Sequence, residues 1–179
     1  MSGKLTLISS ASPSGAASVE FTSGIDSTYD EYVFYFVDIN PATDTQKLTF
    51  QTSTNGGSSY GVTVTSTSFR ATHDEADSSA EIIYDSGNDL AQSTSFNPLS
   101  GTIGNGADEC AAGELHLYSP SSTSKVKHWM SNFNLYEASN ATVHQLNAGY
   151  FNTTSAINAI QFKMGSGNFD GNIYLFGVS

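Results

Sequence analysis

The chain has 179 residues, a net charge of −11 from 17 acidic against 6 basic side chains, and a single cysteine. That length fits one domain with a core large enough to hold itself together. The charge argues against a surface that grips nucleic acid, whose affinity rests on Lys and Arg releasing counterions from phosphate. Lone Cys110 rules out an internal disulfide framework and a cysteine-based zinc site. No stretch approaches the roughly 20 apolar residues of a membrane helix. The opening MSGKLTLISSASPSGAAS is too weakly apolar for a secretory signal, so synthesis in a cytoplasm is expected.

Taken in order, apolar residues recur with period two between clusters of Gly, Pro, Asn, Asp and Ser, the pattern of strands joined by turns. The pattern predicts strands over Leu5–Ser9, Ser18–Phe21, Glu31–Ile39 and Lys47–Thr52, then Gly61–Arg70 and Glu81–Tyr84. Further strands are expected over Glu114–Tyr118, Lys125–Leu135, Val143–Phe151, Ala159–Met164 and Asn172–Val178. No helical stripe is sustained, and ATHDEADSSA (Ala71–Ala80) reads as a loop or single turn. The segment Ser86–Gly113 is long for a connection, and loops of that length are usually functional or contact a neighbour. About ten strands in one domain imply an all-β fold of two packed antiparallel sheets, a sandwich of jelly-roll type. Residues 1–18 form an N-terminal arm or first strand, and residues 19–179 form the sandwich domain.

Most strands have one core face and one wet face. Leu115 and Leu117 alternate with Glu114, His116 and Tyr118; Ile160, Phe162 and Met164 alternate with Gln161 and Lys163. Two strands are apolar on both faces: YVFYFV (Tyr32–Val37) and NIYLFGV (Asn172–Val178). Exposing several such side chains together would make a patch that monomers rarely carry. Two covers are open at this point, either the arm or long loop of the same chain or another copy in a homo-oligomer of cyclic symmetry. The second places an interface on Tyr32, Phe34, Phe36, Tyr174 and Phe176.

Reactive constellations are sparse. His73, Asp74, Glu75 and Asp77 crowd the HDEAD stretch, and Asp85 and Asp89 bracket Gly87, but both read as solvated turns more readily than as calcium loops. Glu20, Glu31, Glu81, Glu114 and Glu137 lie in or beside strands without a spacing that pairs any two as glycosidase carboxylates. The chain has no GxSxG elbow, and a pairing of His116 with His128 on neighbouring strands is left open. Trp129 shares a face with Phe133 and Leu135 and is read as core, against an exposed sugar platform. The triplets at Asn140–Thr142 and Asn152–Thr154 are chance in a Thr-rich chain. No catalytic residue, cofactor or metal is assigned, and the chain is read as not an enzyme.

Two segments, FTSGIDSTYDEYVFYFVDINPATD (Phe21–Asp44) and Lys127–Ser179 with its closing AINAIQFKMGSGNFDGNIYLFG, resemble a family of small β-sandwich virion proteins of tailed bacteriophages, especially those of marine bacteria such as cyanobacteria. The resemblance implies a structural part of a virion with no catalytic residues, made in the host cytoplasm. It implies partners among copies of the chain itself, as a trimer or other small cluster, and the major capsid protein or tail proteins of the phage. The chain lacks a collagen-like or coiled-coil shaft, which favours a capsid decoration or cement protein over a tail fibre or adhesin domain that binds a host surface glycan.

Overall fold

The computed structural model describes residues 3–179, so the first two residues of the expected arm lie outside the described residues. The described chain is all β, with strands β1 (Leu5–Ala11), β2 (Val19–Phe21), β3 (Glu31–Pro41), β4 (Leu48–Ser53), β5 (Val64–Asp74) and β6 (Ala80–Tyr84). They are followed by β7 (Asn97–Pro98), β8 (Ala111–Tyr118), β9 (Lys127–Glu137), β10 (Ala141–Phe151), β11 (Ala159–Met164) and β12 (Phe169–Val178). The sequence pattern misses only two-residue β7, which is too short to show a period. Two antiparallel sheets result, an eight-stranded one in the order β1-β12-β3-β8-β9-β10-β5-β6 and a four-stranded one in the order β2-β11-β4-β7.

The inner faces of the sheets meet through aromatic rings. Phe162 on β11 packs edge-on against Phe34 and Phe36 of β3 at 5.2 and 5.1 Å, and Phe50 of β4 meets Trp129 of β9 at 5.1 Å. Such T-shaped pairs suit the ring quadrupole and add to the burial term. Trp129 belongs to this core, as its alternation implies. It lies against Gly149, its register partner on β10, where a Cβ would stand 2.8 Å from the indole and 2.6 Å from the Thr65 carbonyl oxygen. Only glycine leaves room there.

Tyr32, Phe34 and Phe36 point inward, Phe34 and Phe36 against the small sheet and Tyr32 against Tyr29 and Asp26 of the β2–β3 connection, each at most 1% exposed. The expectation that these three form an interface between copies is thereby corrected, because a side chain already enclosed in its own core has no surface left to offer. The outer face of β3 carries Val33, Tyr35 and Val37, beside Tyr174, Phe176 and Val178 of β12. A bulge at Val37 and Asp38, with Asp38 at φ 54°, then resets the alternation so that Ile39 returns to the core.

Neither the arm nor the long loop covers that outer face. The arm becomes edge strand β1, hydrogen-bonded to β12 from Leu5↔Val178 to Ala11↔Ile173. The long segment lies on the inner side, where it extends the second layer beyond the small sheet: Gln46 bridges Ile103, Val64 bridges Ser93, and Leu99 and Ile103 enter the core. A loop used as a layer brings unpaired backbone groups into the interior, and the strands beneath it answer with polar side chains. Asn147 Nδ2 donates to the Leu99 carbonyl at 2.8 Å and to Ser131 Oγ at 3.1 Å, Ser68 Oγ donates to Asn147 Oδ1, and Gln145 Nε2 donates to Ser68 Oγ. The segment expected as a loop over Ala71–Ala80 is instead the end of β5 and a tight hairpin, with the Asp74 carboxylate accepting from the Ser78 and Ser79 amides.

Candidate functional site

The outer face of the large sheet gathers most of what the chain leaves exposed. Leu5, Leu7 and Val37 lie toward the β1–β3 side, Met130 is central, and Phe69, Ile82 and Tyr84 lie toward β5 and β6. All the strongly exposed large hydrophobic side chains among the described residues stand on this one face; Ile82 is 79% exposed, Leu7 56% and Met130 54%. The strand register explains why. It lines up Leu7, Phe176 and Val33, then His116, Met130 and Ala148, in a row that crosses the sheet. A parallel row sets Tyr174 beside Tyr35, then Leu146, Phe69 and Tyr84. The Tyr35 and Phe176 rings pack edge to face at 5.6 Å, so the two half-buried aromatics shield each other and Val33 beneath them.

All four histidines also fall on this face. His116 stands between two carboxylates: its Nδ1–H donates to Glu31 Oε1 at 2.6 Å, and its Nε2 lies 3.6 Å from Glu114 Oε2. An ionised carboxylate can only accept, so Nδ1 carries the proton. Tyr118 stacks beside His116 at 6.1 Å and 20°, and His128 leans on Tyr150 at 6.3 Å. Burial pushes the Tyr118 hydroxyl above its ordinary pKa, and the negative charges of Glu31 and Glu114 push it further. His144 Nε2 meets Asn132 Oδ1 at 2.6 Å, which orients that amide across β9 and β10.

Three shallow depressions converge on Tyr118. One of about 500 Å³ has a small-residue floor, Ala148 and Thr67, and a rim of Tyr118, His128, Met130 and Tyr150. A second, of about 470 Å³, runs toward Asp30, Ser121, Ser122 and Lys125. A third, of about 260 Å³, is bounded by Glu114, His116, Asn132 and Leu146.

Tyr174 and Phe176, the remaining residues expected at an interface, lie on this outer face; Tyr32, Phe34 and Phe36 do not. The structure brings Glu31 and Glu114 together about His116, a pairing that sequence spacing gave no means to find because β3 and β8 are remote in the chain. His116 and His128 share the face, but each lies beside a different tyrosine, His116 stacked on Tyr118 and His128 tilted against Tyr150. His73 Nε2 pairs with Asp77 at 3.1 Å across the β5–β6 turn, and Asp85 accepts from the Gly87 amide and from Asn88 Nδ2. Both acidic stretches thus act as turn scaffolding. No group of three or more His, Cys, Asp or Glu side chains among the described residues is arranged to hold a metal ion. No family model, curated protein or solved structure matches this chain.

Proposed function

We propose that this chain is a non-catalytic structural protein of a tailed-bacteriophage virion, a decoration or cement protein of the head that packs against copies of itself and against the major capsid protein. The observation that supports this reading is the concentration of exposed apolar side chains on a single face, the outer side of the large sheet. A wide face of that kind, with only shallow depressions, is suited to broad contact, whereas a catalyst needs a deep cleft. The strand order supports a jelly roll within the fold. Setting aside hairpins β5–β6 and β9–β10 leaves β1-β12-β3-β8 facing β2-β11-β4-β7, with the chain passing back and forth between two four-stranded layers. The two hairpins then widen one layer, which enlarges the docking face.

Light scattering tests the self-association. Wild-type protein at tens of micromolar is expected to form a small closed oligomer, a trimer or similar cluster, and the double substitution Leu7→Glu with Ile82→Glu is expected to leave a folded monomer. A wild-type protein that stays monomeric at millimolar concentration would sink the oligomer. Averaged images of intact particles would place its density on the head.

A second reading, a tail-associated adhesin domain that binds a host surface glycan, is favoured by one observation: the aromatic and polar depressions that meet at Tyr118.

A further inference from the structure

We infer that the three depressions around Tyr118 form a subsite for a short neutral oligosaccharide. This rests on the adhesin reading and gives it a ligand class. The inference comes from the mixture of surfaces that meet at one ring. A pyranose presents an apolar C–H face and an edge of hydroxyls, so its site needs an aromatic plane with fixed acceptors and donors set to the side. Tyr118 is half-buried and held beside His116, which fixes the ring without enclosing it. On one flank the small side chains of Ala148 and Thr67 leave room for a ring between Tyr118 and Tyr150. On a second flank are the Glu114 carboxylate and the Asn132 amide; on the third, the Ser121 and Ser122 hydroxyls and Lys125. Carboxylates that already share a histidine are oriented acceptors for vicinal hydroxyls, and hydrogen bonds to charged acceptors are the stronger kind.

The charge distribution selects among sugars. Asp30, Glu31 and Glu114 surround the site and Lys125 is the single Lys or Arg lining these depressions, on a chain of net charge −11. Uronic acids, sialic acids, phosphorylated sugars and nucleotides would meet like charge. A purely apolar ligand would strip water from the carboxylates without replacing their hydrogen bonds. A neutral chain of a few hexoses or N-acetylhexosamines fits both demands.

The experiment is a titration followed by backbone amide NMR shifts, using maltotriose, cellotriose, mannotriose, galactotriose and chitotriose as neutral probes and trigalacturonate as the anionic one. At least one neutral trisaccharide is expected to give saturable shifts at Ser119, His128, Asn132 and Ala148 with a millimolar or tighter Kd. Tyr118→Ala should weaken that binding at least tenfold and Tyr118→Phe less than threefold, while Gln161→Ala, on the outer side of the small sheet, should leave it unchanged. Unaltered Trp129 emission would certify that the variants are folded. Absence of saturable shifts with every neutral probe at 20 mM, preferential binding of trigalacturonate, or binding indifferent to Tyr118→Ala would each overturn the inference. Host-cell binding separates this from the adhesin reading: cells bound in a Tyr118-dependent way by a protein that ignores every neutral probe would keep the adhesin and discard the neutral sugar.

Discussion

Replacing Phe162 with alanine removes the ring that joins the two sheets. Its centroid lies within 5.1 to 6.5 Å of four other rings, those of Phe36, Phe34, Phe21 and Phe50, and the side chain is fully buried. Loss of a buried Phe to Ala costs about 3–5 kcal/mol from transfer and cavity together. Each well-placed aromatic pair is worth about 0.5–1.5 kcal/mol beyond burial, which puts this site at the upper end, near 5 kcal/mol. For a domain of this size a loss of 1 kcal/mol lowers Tm by roughly 2–4 °C, so a drop of about 10–20 °C is expected. Urea unfolding followed by emission of Trp129, the sole tryptophan, reads the change directly because the indole is buried in the same core. The midpoint should fall with little change in slope. Phe176→Ala, on the outer side of the same sheet, serves as the contrast and should cost less than half as much. A Phe162→Ala loss below about 2 kcal/mol, or a larger loss at Phe176, would refute the face-to-face packing from which the interior and exterior of β3 and β12 are assigned.

Asn147→Leu should destabilise by about 1–3 kcal/mol in the same urea assay, since the Leu99 carbonyl and the Ser68 hydroxyl would lose a buried partner while the volume is nearly kept; a neutral result would mean the loop is not held by that amide. Lys127 is fully buried with its Nζ donating to the Thr153 carbonyl, and burial holds its pKa below the ordinary lysine value. Between that lowered value and the unfolded value of about 10.4 the unfolded chain binds more protons, so this group makes stability rise with pH across the window and leaves its full cost in place below it. The stability of Lys127→Met relative to wild type should therefore be greatest near neutral pH and shrink as pH approaches about 10; a difference that is flat or grows with pH would contradict the burial of a charged amine.

Period-two alternation made nearly all of the strands legible, and it set Leu115, Leu117, Trp129, Phe133, Ile160 and Phe162 on core faces where the structure has them. It could not sign a strand that is apolar on both sides. In YVFYFV the alternation separates Tyr32, Phe34 and Phe36 from Val33, Tyr35 and Val37, but which set turns inward depends on where the second sheet lies. The role of the long segment was hidden for a related reason. Its irregular backbone acts as a layer, and the sign of that was the run of polar residues on the inner faces of β5 and β10, Ser68, Gln145 and Asn147, which by pattern alone reads as a wet surface. The cluster of Glu31, Glu114, His116 and Tyr118 is created by the pairing of β3 with β8, which no local spacing encodes.

The position of β12 constrains how the chain is made. It is the last strand in the sequence, yet it lies between β1 and β3, hydrogen-bonded to both. Until β12 is made, β1 has no strand to pair with, and β3 keeps an open edge on the side away from β8. Both pairings join segments far apart in the sequence, contacts of the kind that slow folding and leave an unpaired edge open to mispairing.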